Sequence, residues 1–378
     1  MDPAAPATAV PFTHRPLVAG DTVGILTSGG DAPGMNAAVR TAVKLGLSRG
    51  LRVLAVESGY RGLIDGHAHA LSSAEVEEIH RRGGTVLGSA RALDFQEPAG
   101  QARAQQSVRA LGLDALLVIG GNGSLTGARV AAGFVTARGE TLRVVGMPAS
   151  IDNDIGHSAP AIGVDTALNT IVEACDRISD TAASHNRVFI IEVMGRDCGY
   201  LAMASAVACG ADAVLFRESG RSEAELVEQI AHVVQSAFAR TPPKPRVLVI
   251  KSEGVKATVE GLKQASEARL AERGLRVETR SVVLGHVVRG GAPSAQDRLM
   301  AGRLGRAAMW AAIEGQSDAM VGWQPQAGSP WTSRHDPHCQ VVPLEEVLRE
   351  TRALLDGSSP VMTWRTRALS EVEDLMHF

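Results

Sequence analysis

The sequence predicts an α/β protein with mainly parallel sheets covered by helices on both faces. Short runs of small and branched apolar residues, such as "ALLVIGG", alternate with longer stretches of helical periodicity. Strands that are apolar on both faces belong in parallel sheets that helices cover on two sides. The 40 glycines and the 3% aromatic content also favour many tight strand-to-loop exits over an all-β sandwich.

The predicted elements follow one another regularly from residue 21. "DTVGILTSGG" predicts a strand, and "MNAAVRTAVKLGLSRG" predicts a helix that ends at Gly50. "LRVLAVESGYRG" predicts the next strand, and "SSAEVEEIHRRGG" predicts a helix capped by Ser72 or Ser73. Further strands, with helices between most of them, are predicted in "ALLVIGG", "LRVVGMP", "RVFIIEVMG", "AVLFRE" and "RVLVIKSEG".

Composition excludes several classes of protein. The 378 residues, 45% of them hydrophobic, suffice for two folded domains, and a net charge of -3 gives no general attraction to nucleic acid or anionic membrane. No apolar run reaches the roughly 18 residues of a membrane span. The four cysteines form no CxxC pair, which predicts reduced thiols in a cytoplasmic protein. The first 20 residues, rich in Pro and Ala, predict a disordered tail and not a targeting peptide.

Three glycine- or aspartate-rich loops follow apolar strands. They are "TSGGDAPGMN" at 27–36, "GGNGSLTG" at 120–127 and "PASIDND" at 148–154. Ligands bind at the carboxyl ends of strands in open α/β sheets, and glycine-rich backbone at a helix start suits an anion. A tight turn would explain any one loop, but three together predict a binding site. GxxxxGK[ST] and a GxGxxG after the first strand are absent, which disfavours P-loop and dinucleotide folds.

Charged residues in and near these loops add possible chemistry. Asp152 and Asp154 flank an amide, so one carboxylate could accept a hydroxyl proton while the other binds Mg²⁺ or orients its neighbour. An Asx-type turn explains the same pattern equally well. Arginines beside glycines suit phosphate, although any one alone could be a solvated surface charge. The basic residues in such contexts are Arg91, Arg187, Arg196, Arg280, His286 and Arg289.

Six motifs together resemble the 6-phosphofructokinase family, in its type with two Rossmann-like lobes. The resemblance is close over roughly residues 21–322. The motifs are "GILTSGGDAPGMNAAVR", "GTVLGSAR", "GGNGS", "SIDNDI", "EVMGRDCGYLA" and "LGHVVRGGAPSAQDR". The resemblance implies phosphorylation of the 1-hydroxyl of D-fructose 6-phosphate with Mg·ATP or pyrophosphate, the committed step of glycolysis.

The resemblance also implies a domain division. A phosphoryl-donor lobe would comprise residues 21–163 and about 290–335. A fructose 6-phosphate lobe would comprise residues 164–289 and about 336–378, and residues 1–20 would be the tail.

The family's sugar site is carried over position by position. Asp152 would be the general base for the 1-hydroxyl proton, with Asp154 supporting the sugar end. Ser150 stands where the family usually has threonine, and its hydroxyl is retained. Other residues would hold the sugar, its phosphate and the transferring phosphoryl group: Met194, Gly195, Arg196, Glu253, His286 and Arg289. Arg187 and Arg280 would reach the 6-phosphate from a neighbouring subunit, which implies a homo-oligomer, either a tetramer or a dimer.

The donor site is carried over in the same way. Phe95 would pack on the adenine, and Gly30 would lie beside the transferring group. The implied donor residues are Gly30, Arg91, Ala92, Phe95, Gly121, Asn122, Gly123, Ser124 and Gly127. Pyrophosphate-using relatives usually carry Asp in place of Gly123 and Lys in place of Ala149, and the small residues here leave room for ATP. ATP is therefore favoured, with pyrophosphate as the alternative.

Two positions depart from the family pattern. Asn122 stands where the ATP-dependent pattern has an aspartate near Mg²⁺, and an amide brings no negative charge. Weaker metal binding, a metal bound through water, compensation by another acidic residue, and a catalytically weak regulatory paralogue would each explain it. Arg40, Lys44 and Glu218 match parts of the allosteric site of bacterial relatives, but Ser179 stands where an arginine is common.

Overall fold

The computed structural model of the chain describes residues 13–326 and 328–376. Strands and helices alternate through these residues, as the sequence predicts. The strands are β1 (Thr22–Ser28), β2 (Arg52–Val56), β3 (Ala68–Ala70), β4 (Ala115–Gly120), β5 (Arg143–Pro148), β6 (Val188–Val193), β7 (Ala213–Leu215), β8 (Val247–Ser252), β9 (Thr279–Val283), β10 (Ala319–Trp323), β11 (Thr332–Ser333) and β12 (Asp336–Pro343).

Helices occupy most of the connections between strands. They are α1 (Met35–Ser48), α2 (Tyr60–Asp65), α3 (Pro98–Ala110), α4 (Asn122–Ala131), α5 (Val164–Ser184), α6 (Tyr200–Cys209), α7 (Glu223–Phe238), α8 (Val259–Glu272), α9 (Ala295–Glu314), α10 (Leu344–Asp356) and α11 (Pro360–Met376). Short 3₁₀ helices lie at Ile79–Arg81, Leu93–Gln96, Arg217–Ser219 and Gly285–Arg289. Within the described ranges, no helix is long and apolar enough to cross a membrane.

The chain divides into two units. Among the described residues, the first unit falls within Met1–Asp165 and Arg289–Arg352, and the second within Thr166–Val288 and Ala353–Phe378. Each unit has its own sheet, and helices cover both sides. This confirms the predicted fold class of two α/β lobes with mainly parallel sheets.

The sheet of the first unit has the strand order β11-β12-β10-β5-β4-β1-β2-β3. β10, β5, β4, β1 and β2 run parallel, whereas β3 and β12 pair antiparallel with their neighbours. The chain leaves β1 for β2 on one side and later returns to β4 on the other, so the strand order reverses at β1. Such a reversal is the usual ligand position in an open α/β sheet. The carboxyl ends of β1, β4 and β5 meet at this edge.

The sheet of the second unit is parallel, in the order β7-β8-β6-β9. α7 and α8 share a core with one face of it, built on buried valines and isoleucines. α7 begins at a capping box, in which the Ser222 side chain accepts a hydrogen bond from the Glu225 N–H and the Glu225 side chain bonds back. The carboxyl ends of β6, β8 and β9 again meet at one edge.

The helix predicted from Ser72 is wrong. Ser72 makes the predicted cap-like bonds with Glu75, but turns follow, and the helical residues are only the 3₁₀ segment Ile79–Arg81. The Asn36 amide group donates to the carbonyl oxygens of Arg82 at 2.9 Å and of Gly83 at 3.3 Å. The main-chain carbonyls at the end of this segment therefore accept hydrogen bonds from a side chain on α1. Local helix propensity could not reveal this contact, because Asn36 is distant in sequence.

The predicted disorder of the first 20 residues does not extend to residues 13–20. Leu17 is 7% exposed, and its N–H donates to the Ile313 carbonyl at 2.8 Å. The Arg15 guanidinium pairs with Asp21 at 2.7 Å. These contacts fix the segment against the first unit, and residues 1–12 lie outside the described part of the chain.

The second boundary between the units also differs from the prediction, which assigned residues from about 336 onward to the sugar-phosphate lobe. In the structure β12 pairs with β10 from Ala319↔Pro343 to Trp323↔Cys339. This strand therefore extends the first sheet, and the chain passes to the second unit only after Arg352.

Candidate active site

A cavity of about 690 Å³ opens at the carboxyl edge of β1, β4 and β5. All the predicted donor residues line it: Gly30, Arg91, Ala92, Phe95, Gly121, Asn122, Gly123, Ser124 and Gly127. Ser150, Asp152 and Arg289, predicted from other motifs, line it as well. The structure thus brings together three loops that are distant in sequence.

The loop between β4 and α4 presents a helix N-terminus to this cavity. Gly121 precedes α4, and Asn122, Gly123 and Ser124 form its first turn. The first N–H groups of a helix have no partner inside the helix, and the helix dipole adds positive potential there. A phosphate group suits this position. A Cβ atom on Gly123 would meet no atom within 4 Å, so a side chain there would occupy open cavity space.

Tyr60 lies under the same loop and was missed by the sequence analysis. Its hydroxyl donates to the Ser124 carbonyl at 2.7 Å, and burial raises the phenol pKa well above its ordinary value, so the group stays protonated. A Cβ atom on Gly127 would lie 2.6 Å from the Tyr60 ring. Gly127 therefore permits the ring to approach α4. The available signal was the position of Tyr60 after a glycine at the end of β2.

Phe95 forms part of the cavity wall. It is 5% exposed and stacks on Tyr60 with ring centroids 4.3 Å apart. One face of its ring is thus occupied by protein, and its contact with adenine remains a prediction. The lining also includes Thr126 of the "GGNGSLTG" loop and two polar residues that no motif indicated, Gln96 and Gln101.

The "SIDND" turn gives its two aspartates different surroundings. The Ser150 hydroxyl donates to Asp154 Oδ1 at 2.7 Å, whereas Asp152 lines the cavity. Asn153 between them has a left-handed backbone with φ of 51°. Its Oδ1 accepts the Ala161 N–H at 3.1 Å, which holds the turn in place. Asp152 is therefore part of the cavity lining, and the Asp154 carboxylate holds the Ser150 hydroxyl within the turn.

Arg289 brings a positive charge to the cavity. Its Nη1 donates to the Asp31 carbonyl at 3.3 Å, and its guanidinium lies so close to Gly30 that a Cβ atom there would collide with it. Its Nε is buried without a hydrogen-bond partner in the described part of the chain.

In the second unit, the predicted sugar residues follow neighbouring strands. Met194, Gly195 and Arg196 come directly after β6, and Glu253 follows β8. The Gly254 N–H donates to the Gly195 carbonyl at 3.3 Å, so the two turns touch. The remaining predicted residue, His286, is exposed on the 3₁₀ helix after β9.

Arg187 and Arg280 lie at the opposite end of this sheet. Arg187 immediately precedes β6 and pairs with Glu278 at 2.7 Å, and Arg280 pairs with the same carboxylate. The six residues of β6 separate this end from Arg196 by about 20 Å. Within one chain, Arg187 is therefore not brought to the Arg196 turn.

The cavity lining fits a magnesium ion that arrives with a nucleotide. In the described ranges, no group of three or more His, Cys, Asp and Glu side chains could hold a metal alone. Mg²⁺ is commonly bound by one or two protein oxygens together with substrate phosphates and water. Asn122 and Asp152 offer oxygens of that kind on one lining.

The residues that match the allosteric site form pairs within their own units. Arg40 and Lys44 both pair with Glu77. Glu218 Oε1 accepts the Gly199 N–H at 2.7 Å, and the Ser179 hydroxyl donates to the Cys175 carbonyl at 2.8 Å.

A parallel α/β sheet with a helix N-terminus, an arginine and a carboxylate on one cavity defines a phosphate-handling enzyme. The profile of the family described as Phosphofructokinase matches residues 22–312. The chain belongs to the phosphofructokinase family, as the sequence motifs predicted.

Named relatives agree with this assignment. "ATP-dependent 6-phosphofructokinase" of Natranaerobius thermophilus is 43% identical over 300 residues, which cover 79% of this chain and 88% of the relative. "ATP-dependent 6-phosphofructokinase 1" of Clostridium perfringens is 40% identical with the same coverage. The structure of phosphofructokinase from Saccharomyces cerevisiae is 33% identical with a TM-score of 0.77, covering 89% of this chain but 47% of that longer chain. The predicted enzyme class is confirmed.

Proposed function

We propose that this chain transfers the terminal phosphoryl group of Mg·ATP to the 1-hydroxyl of D-fructose 6-phosphate. The products are fructose 1,6-bisphosphate and ADP, in the committed step of glycolysis. The observation that carries the proposal is the shared lining of one cavity by the α4 N-terminus, Arg289 and Asp152. A site for the donor phosphates and a carboxylate base are thus available together, and relatives at 40–43% identity carry the matching name.

Each group has a role that its surroundings support. The N–H groups of Gly121 to Ser124 bind donor phosphates, since they begin α4 at the cavity. Asp152 accepts the proton of the attacking hydroxyl, as a carboxylate facing the cavity can. Arg91 offsets the charge of the donor phosphates, and phosphoryl transfer depends mainly on such positioning and neutralisation. When bound, Mg²⁺ would add positive charge beside the phosphates. Asn122 would contribute an oxygen to it, because it stands where the family pattern has the aspartate near the metal.

The sugar phosphate is assigned to the second group of residues. Met194, Gly195 and Arg196 contact the sugar and the transferring group, and Glu253 hydrogen-bonds sugar hydroxyls. Ser150 and Asp154 support the sugar end through their mutual hydrogen bond. The 6-phosphate is assigned to His286 and Arg289 together with Arg187 and Arg280.

We also propose a homo-oligomer, a tetramer or a dimer. Arg187 and Arg280 both pair with Glu278, at the end of the sheet away from Arg196. This position supports a role in binding the 6-phosphate in a neighbouring subunit's site. A cytoplasmic location and an allosteric response remain part of the same proposal.

A donor-swap assay tests the function directly. Purified protein is given fructose 6-phosphate with either ATP or pyrophosphate, and fructose 1,6-bisphosphate is measured. Product is expected with ATP, because Gly123 and Ala149 leave the donor space uncharged and open. Product with pyrophosphate alone would make the pyrophosphate-dependent enzyme the correct reading. Product with neither donor would favour the regulatory paralogue that Asn122 suggests.

Asn122→Asp is expected to lower the Mg²⁺ concentration for half-maximal rate. The added carboxylate supplies the anionic oxygen that Mg²⁺ prefers. One added unit charge about 4 Å from a divalent cation in water-like surroundings contributes about 2 kcal/mol, or on the order of a thirtyfold shift. The measurement is a Mg²⁺ titration at saturating ATP.

A matched control for this change is Gln106→Glu. It converts an exposed amide on α3 to a carboxylate in the same unit, away from the cavity lining. Its half-saturation point is expected to equal that of the wild type. If Asn122→Asp leaves that point unmoved or raises it, position 122 does not lie in the metal's surroundings.

A further inference from the structure

An ion pair between a buried lysine and a partly exposed glutamate joins β6 and β8 in the second unit, and no role assigned above uses it. Lys251 Nζ lies 2.7 Å from Glu192 Oε2, and the lysine is only 1% exposed. The two residues are direct partners in the register of the parallel strands. Both line a cavity of about 430 Å³ together with Glu253, so the pair lies on the same side of the sheet as that carboxylate.

Stability alone does not account for a lysine at this position. The residues before it on β8, Val247 to Ile250, are fully buried and apolar. Removing an ammonium group from water is costly, and buried ion pairs are often no more stabilising than apolar residues of similar volume. Buried ionic groups are in some proteins retained because they fix one conformation. The conformation held here is shown by the other contacts of Lys251.

Those contacts lead to both turns that carry predicted sugar ligands. The Lys251 ammonium also donates to the Ser252 carbonyl at 3.1 Å, immediately before Glu253. The Ser252 hydroxyl donates to the Gly195 carbonyl at 2.6 Å. The Glu253 N–H donates to the Val193 carbonyl at 2.9 Å. One ammonium group thus anchors a hydrogen-bonded connection between the ends of the two strands.

The two turns are closely packed. Gly195 has φ of 121°, and a Cβ atom on it would lie 2.5 Å from the Cys198 carbonyl oxygen. A Cβ atom on Gly254 would collide with the Arg196 carbonyl oxygen. A shift of the end of β8 along β6 would therefore displace Glu253 relative to Arg196.

We propose that Lys251, through Glu192 and the Ser252 carbonyl, is a positioning residue for the sugar-phosphate site. It sets the separation between Glu253 and the turn of Gly195 and Arg196. The inference rests on the proposed function, which assigns both turns to fructose 6-phosphate.

Steady-state kinetics of Lys251→Met provide the first test. The change keeps the apolar length of the side chain and removes the ammonium. KM for fructose 6-phosphate is expected to rise about tenfold or more, since small misplacements of binding groups have effects of this order. KM for ATP is expected to stay within about twofold, because the donor residues lie on other loops. Lys251→Arg, which keeps the positive charge, is expected to recover much of the loss.

Two further variants separate positioning from a general loss of an ion pair. Arg303→Met breaks the pair with buried Asp336 in the first unit and is expected to leave KM for the sugar unchanged. The double variant Lys251→Met/Glu192→Met removes both charges of the pair, so that neither is left without its partner. It is expected to fold, as judged by its thermal transition, and to retain the raised KM. A double variant with wild-type KM would overturn the proposal.

Amide hydrogen exchange gives a readout that does not depend on activity. In Lys251→Met, exchange at Glu253 and Gly254 is expected to rise about tenfold or more, while the amides of Leu248 to Ile250 stay protected. Unchanged exchange at Glu253 and Gly254 would overturn the positioning role whatever the substrate. The two claims can fail separately. If exchange is faster in Lys251→Met but the wild type does not phosphorylate fructose 6-phosphate, the positioning role is supported and the proposed function is refuted.

Discussion

Asp152→Asn is expected to lower kcat by at least ~10²-fold, the usual scale for a lost general base. Sugar-phosphate binding and the fold are expected to stay largely intact. The physical reason is that Asp152 lines the cavity with the α4 N-terminus, whereas Asp154 is bonded to Ser150. An amide of the same shape can still accept a hydrogen bond, but it cannot take the proton of the attacking hydroxyl.

The measurement combines kcat with fructose 6-phosphate titration calorimetry on the same protein. Asp154→Asn is the comparison, because its amide oxygen can still accept the Ser150 hydroxyl bond and the base is untouched. Its loss of kcat is expected to be clearly smaller. If Asp152→Asn keeps near-normal turnover, or if both variants lose turnover equally, Asp152 is not the base.

Much of this site was predictable because its chemistry is local in sequence. The strand "ALLVIGG" and the glycines after it predict both a buried strand and a phosphate-binding helix start, and the structure has β4 and α4 there. Parallel topology then brings the loops after β1, β4 and β5 to one edge. These two facts suffice to collect Gly30, Asn122 and Asp152 on one lining.

What the sequence could not reveal depends on contacts between distant segments. The segment after Ser72 has helix-like caps, yet Asn36 bonds the carbonyls that follow it. In the sequence, Gly127 looks like one more loop glycine. In the structure, no side chain fits there because the Tyr60 ring occupies the space. Lys251 gives no sign in sequence of being buried, because its partner Glu192 lies on another strand. Each of these outcomes is set by packing, not by local pattern.

Gly123→Asp is expected to reduce kcat/KM for ATP by about 10³-fold or more. A Cβ atom at position 123 meets no atom within 4 Å, so the side chain would extend into the space assigned to the donor phosphates. Like charges about 4 Å apart repel by about 4 kcal/mol at an effective dielectric constant of ~20, which corresponds to roughly a 10³-fold loss. The fold should persist, because position 123 is in the first turn of α4, where an acidic residue is favourable for a helix.

Gly123→Asn is the control that separates charge from size. It places a side chain of the same shape in the same space without the negative charge, so its loss of ATP use is expected to be much smaller than that of Gly123→Asp. KM for fructose 6-phosphate should change little in either variant, since the sugar residues lie on other segments. If the two variants lose ATP use equally, steric exclusion and not repulsion governs the position. If neither variant loses ATP use, the open space beside Gly123 does not hold the phosphates of ATP, and the assignment of the α4 N-terminus to the donor site is wrong.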